Sequence, residues 1–96
     1  MVVATCQIEL TLPGVSSLKQ KRSVLRGLIA GVHKKFHVAA AEVDLHDVWQ
    51  SSTIGLAAVS TSASHAEQVL ENVVRWIEDY RPDLEVVDYA IEAIHV

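Results

Sequence analysis

Residues 2–36 read VVATCQIELTLPGVSSLKQKRSVLRGLIAGVHKKF, and the spacing of apolar residues changes once within them. Val2, Ala4, Cys6, Ile8, Leu10 and Leu12 fall on alternate positions, with Val3, Thr5, Gln7, Glu9 and Thr11 between them. Alternation over this length predicts a half-buried strand. Pro13-Gly14 ends it, and Ser16 or Ser17 can cap the helix that follows. Leu18, Leu25, Leu28, Ile29, Val32 and Phe36 then recur at helical spacing, which predicts an amphipathic helix running to about Lys35. Gly27 and Gly31 each cost a helix about 1 kcal/mol relative to alanine, and would let this one sit close against a sheet.

The rest of the chain continues the pattern. His37–Val43 reads as a short second strand, Asp44–Gln50 as a polar hairpin and Ser52–Ser60 as a third strand. Ser64 and Glu67 form a capping-box pair. They precede a helix with Ala66, Val69, Leu70, Val73, Trp76, Ile77 and Tyr80 on one face, stopped by Pro82. Leu84–Val96 closes the chain as a strand, with Val87, Tyr89, Ile91 and Ala93 inward and Asp88 and Glu92 outward. The order β-α-β-β-α-β, with right-handed crossovers, closes most economically as one α+β domain over residues 1–96. This is the ferredoxin-like βαββαβ arrangement: a four-stranded antiparallel sheet with two helices on one face. Its uncovered face would carry Val3, Thr5, Gln7 and Glu9 with Ala58, Ala90 and Ile94 as neighbours. That topology also brings the first helix's start to the same end as the hairpin, so that Glu42, Asp44, His46, Asp47, Trp49 and Gln50 face the basic residues there.

Charge is segregated along the chain. Residues 10–41 hold six Lys or Arg and no acid, whereas residues 42–96 hold eleven acids and two arginines, within a formal net charge of −4. The basic block starts at a helix N-terminus, where the dipole disfavours cations. Half of the residues are apolar, as in an ordinary globular domain. The single cysteine, Cys6, excludes an internal disulfide and any paired-cysteine metal or redox motif. No signal peptide leads the sequence and no apolar run is long enough to span a bilayer, so a cytoplasmic protein without membrane contact is expected.

Two stretches together, L-T-L-P-G-V-S-S-L-K-Q-K-R at 10–22 and V-A-A-A-E-V-D-L-H-D-V-W-Q at 38–50, resemble the YlxP-like family of small bacterial proteins. The likeness extends over essentially the whole chain, including the closing strand around V-x-D-Y. It implies the ferredoxin-like fold and a cytosolic bacterial protein whose genes often lie near those for translation initiation and ribosome maturation. It implies no activity and no catalytic residues. His46 stands where a variable polar residue is usual.

The candidate binding residues are Lys19, Lys21, Arg22, Arg26, Asp47 and Trp49. Lys19, Arg22 and Arg26, spaced i, i+3, i+7, line one helix face; Lys21 sits to one side, and Lys34 and Lys35 extend the block. Such a row suits a phosphate backbone, but the same side chains could be a solvated face or pair with Asp44 and Asp47. Trp49 could stack on an arginine or a base, or cover the core with its N–H bonded to the hairpin. Strands one and three lack the aromatics on which RNA-recognition sheets stack bases, so RNA contact would rely on shape and charge. Asp44, His46 and Asp47 lack a strong metal-ligand spacing, and turn carboxylates more often bond nearby amides. Cys6 on an inward face reads as a small hydrophobe, and the loop P-G-V-S-S lacks the arginine an acylphosphatase-like phosphate cradle needs. The expectation is a non-enzymatic binding protein with no cofactor and no metal. Its partner is ribosomal RNA or a ribosome-associated protein. The alternative is a homo-oligomeric module, such as a homodimer, taking a small anionic ligand between subunits.

Overall fold

The computed structural model describes residues 1–96. The elements are β1 (Val2–Thr11), α1 (Leu18–Lys35), β2 (Ala39–Asp44), β3 (Ser51–Ser60), α2 (Ala63–Tyr80) and β4 (Glu85–His95). The strands form one sheet in the order β2-β3-β1-β4, every neighbouring pair antiparallel. Both helices pack on the face bearing Ala4, Cys6, Ile8 and Leu10, where Leu25, Leu28 and Val32 of α1 meet Leu70, Val73 and Ile77 of α2 in one continuous core. This is the ferredoxin-like arrangement that the order of elements predicts. No helix is long and apolar enough to cross a membrane.

Ser17 caps α1: its hydroxyl accepts from the Gln20 backbone amide (3.1 Å), while the Gln20 side-chain Oε1 accepts from the Ser16 backbone amide (2.9 Å). This reciprocal pair satisfies donors left open at the helix start. α2 is capped two residues earlier than the S-x-x-E pattern suggests. Ser62 has extended backbone and accepts from the His65 amide, whereas Ser64 already lies in the first turn with its hydroxyl on that of Ser62.

Three side-chain placements differ from the alternating pattern. The β1–β4 register shifts between Glu9 and Leu10, so that Leu10 pairs with Val86 and Glu9 with Asp88. The bulge sends Val86 against the core and leaves Val87 57 % exposed. Tyr80, the last residue of α2, is 70 % exposed and stacks on Trp76, with ring centroids 6.1 Å apart. Ala58 pairs with Ala4 and is buried on the helix side, so Ala57 and Val59 occupy the open face instead.

Gly31 allows the helices to close on each other. A Cβ at that position would lie 2.7 Å from Trp76 Cη2, and Trp76 also meets Phe36 edge-on (6.1 Å between centroids). The close approach expected against the sheet is made instead by Gly31 to the second helix, and Gly27 meets only the Arg81 side chain at 3.9 Å.

Candidate functional site

The end of the domain shared by the β1–α1 turn, the β2–β3 hairpin and the α2–β4 turn is organised by Lys21. This lysine stands four residues before Leu25 and seven before Leu28, so it occupies the first position of α1's buried stripe. Its residue is only 1 % exposed. The ammonium donates to the carbonyls of Leu45 (2.5 Å) and Val48 (2.6 Å) and meets Glu42 Oε2 at 2.8 Å. Three acceptors match the three donors of an ammonium, and no buried side-chain nitrogen or oxygen lacks a partner.

The hairpin is shaped to present these acceptors. Asp44 accepts from the Leu45 amide (2.8 Å), Leu45 takes the left-handed backbone conformation (φ 62°), and the Val48 amide donates to the Leu45 carbonyl (3.1 Å). Ser52 donates to the same Glu42 oxygen that receives Lys21 (2.6 Å). Gln50 ties the hairpin to the turn before α1. Its amide nitrogen donates to the Val15 carbonyl (3.1 Å) and its own carbonyl accepts from Leu12 (2.9 Å). Partial burial pushes the Glu42 carboxyl up. The hydrogen bonds from Lys21 and Ser52, with the charges of Lys21 and His46, outweigh it and hold the carboxyl below its ordinary range.

Lys21, expected to one side of the basic row as a candidate binding residue, instead turns inward and is not free to bind a partner. Its acid partner is Glu42, with Asp44 and Asp47 taking no part. The physical reason is reach: a lysine stem can lie along apolar surface while its head finds polar groups at the rim of the core, and the hairpin supplies them.

Lys19, Arg22 and Arg26 are exposed along one face of α1. The structure contains two ion pairs, Lys21–Glu42 and Arg81–Asp83, so these three cations and the more distant Lys34 and Lys35 have no carboxylate partner. Asp47 is exposed and accepts no hydrogen bond. Trp49 is 51 % exposed on the outside of the hairpin, with no hydrogen bond from its indole, so it does not roof the core. The hairpin that carries Trp49 is anchored to the basic helix through the Lys21–Val48 contact. The structure thus brings Lys21, Glu42, Asp44 and Gln50 into one connected cluster and leaves Lys19, Arg22, Arg26, Asp47 and Trp49 facing solvent at or near the same end.

Elsewhere, His33, His37, His46, His65 and His95 are all exposed. No group of three or more His, Cys, Asp or Glu side chains is placed to hold a metal ion. Cys6 is buried, and burial, with a smaller contribution from the Glu71 charge, pushes its thiol up to about 11.

Comparison with known proteins agrees with the motifs. Residues 3–91 match the family model described as "Protein of unknown function (DUF503)". The chain is also 33 % identical over 84 residues to "Uncharacterized protein YlxP" of Bacillus subtilis (strain 168), an alignment spanning 88 % of this chain and 90 % of that protein. From the first strand into the last, the chain belongs to the YlxP-like DUF503 family.

Proposed function

We propose that this is a non-enzymatic cytoplasmic binding protein that contacts ribosomal RNA through the exposed face of α1 bearing Lys19, Arg22 and Arg26. The observation that carries the reading is that these three cations are exposed in a row and unpaired, although acids outnumber bases twelve to eight in the chain. Such a row meets phosphates, and the exposed indole of Trp49 on the tethered hairpin offers an unstacked base a flat partner. The contact lies on the helix side, because the centre of the sheet presents Thr5, Gln7, Gly55 and Ala57 and has no aromatic on which bases could stack. The neighbourhood of translation genes that the family resemblance implies favours ribosomal RNA among polyanions.

The test is binding to ribosomal RNA across a salt series. With three phosphate contacts, log K should fall with log[salt] at a slope of roughly −2 to −3. Arg22→Glu and Arg26→Glu should each weaken binding while leaving the thermal transition unchanged. Lys21 is unsuitable for this purpose, since its replacement disturbs the fold. Binding indifferent to both salt and the two arginines would overturn the reading.

A further inference from the structure

The sheet face opposite the helices has a composition of its own. Of the eight Lys and Arg residues in the chain, none lies on a strand. The register places Glu9, Asp88, Glu92 and Glu85 on the open face of β1 and β4, all exposed. Glu9 and Asp88 are direct cross-strand partners, an arrangement of like charges that destabilises a sheet. No histidine lies on this face either: His95 pairs with Val2, whose side chain is buried on the helix side, and the other four lie off the strands.

Beside this acidic ridge, the β2–β3 half of the face is apolar and shallow. Ala39, Ala41, Val43, Gly55 and Ala57 line an open groove of about 360 Å³. Glycine is required at 55 because Val43, the extra residue where the β2–β3 register shifts, leans over it; a Cβ on Gly55 would lie 2.8 Å from its methyl group. Small residues permit another backbone to come close.

We propose that this open face docks a basic amphipathic helix of a partner protein, its apolar stripe in the Ala39–Ala57 groove and its Lys/Arg flank over Glu9, Asp88 and Glu92. Shape and charge select this occupant. A sheet face offers side chains and no free backbone groups, so its partner must satisfy its own backbone, which a helix does. Four strands about 4.8 Å apart give a platform some 15 Å wide, enough for a helix of 10–12 Å diameter to lie over β3 with one flank above β1 and β4. A second copy packed face to face is disfavoured. A two-fold axis along the strands sets the acids of β4 against the alanines of β2, and one across them sets acid against acid. Neither brings a cation to bury with the carboxylates. This surface lies on the far side of the sheet from the α1 row, and the inference is independent of RNA binding.

The experiment titrates the full ¹⁵N-labelled chain with a synthetic 18-residue helix carrying a leucine stripe and a lysine flank. A control peptide has glutamate in place of lysine. The expected result is amide shift changes centred on Ala41, Gly55 and Ala57 with the lysine peptide alone. Asp88→Lys with Glu92→Lys should raise Kd by about tenfold or more, each reversal turning a rim attraction into a repulsion. Both sites are exposed, so the variant keeps its fold, and Ala57→Gln, which fills the groove without changing the charge, provides a second route to the same loss that leaves the acidic ridge intact. Equal binding of both peptides, shift changes centred on the helices, or a concentration-dependent dimer whose contacts map to these amides would overturn the proposal.

Discussion

Lys21 Nζ sits 2.8 Å from Glu42 Oε2 and closes the first helix onto the first hairpin. The lysine is removed from solvent and the carboxylate nearly so (1 % and 17 % exposed side chains), and the Leu45 and Val48 carbonyls complete the ammonium's shell. Replacing Lys21 with methionine keeps the stem but removes the counter-charge of the Glu42 carboxylate, leaving it only the Ser52 hydroxyl, and strips the Val48 carbonyl of its donor. Breaking a buried pair from one side costs about 3 kcal/mol or more. For a domain of this size that corresponds to a fall in Tm of about 12 °C or more, measurable by circular dichroism. A change within 2 °C would show that the ammonium is dispensable.

The same pair sets an acid dependence. The folded-state pKa of Glu42 lies below its ordinary 4.5, so the unfolded chain binds the proton more readily. The stabilisation is fully present above about pH 4.5 and is lost as pH falls through the folded value. Urea unfolding from pH 7 to pH 3 should therefore show wild type well above Glu42→Gln at neutral pH and the two converging in acid. A gap that stays constant across the range would remove Glu42 as the titrating group. Asp83, also held low by its hydrogen bonds with Arg81, is half exposed and unchanged between the two proteins, so it cancels in the difference.

The two glycines of α1 should respond in opposite directions. At Gly27 a methyl group would meet nothing closer than Arg81 Nη1 at 3.9 Å, and alanine's helix preference should stabilise the fold by about 0.4–1 kcal/mol. At Gly31 the methyl would lie 2.7 Å from the Trp76 ring, which is rigid and held by Phe36 and Tyr80. Overpacking there costs about 1–3 kcal/mol and exceeds the propensity gain. Denaturant midpoints of the two single variants on either side of wild type are the expected outcome.

The fold was legible because its signals are periodic and long: ten alternating residues in the first strand, and apolar stripes over two eighteen-residue helices. Single-residue exceptions to a period were not. The bulge that exchanges Val86 and Val87 depends on pairing with Glu9 and Leu10, a relation absent from either strand alone. Lys21 is instructive because its position was readable: 21, 25, 28 and 32 form one helical face. Residue type pointed outward and spacing pointed inward. Spacing won, because the hairpin 24 to 27 residues away brings acceptors to it.

Cys6 should be inert in the native protein. It is 1 % exposed, and burial raises its thiol to about 11, so thiolate is scarce at pH 8 and no reagent reaches it. Alkylation by iodoacetamide at pH 8 should be negligible over hours in buffer and complete within minutes in denaturant. Modification of the folded chain at the rate of a free thiol would contradict the burial.

Trp49 separates binding from folding. An indole 51 % exposed and without a hydrogen bond contributes little to stability, so Trp49→Ala should shift unfolding by no more than about 0.5 kcal/mol. Its stacking on a base, by contrast, would be worth about 1–3 kcal/mol. The variant should therefore fold like wild type and bind ribosomal RNA about five- to a hundred-fold more weakly. Fluorescence gives a second reading in the intact protein. The other tryptophan, Trp76, is packed between Phe36 and Tyr80, so acrylamide should quench mainly Trp49, and RNA should shield it. Unchanged quenching with RNA bound, together with unchanged affinity in Trp49→Ala, would place the hairpin outside the contact and leave the α1 row to make it alone.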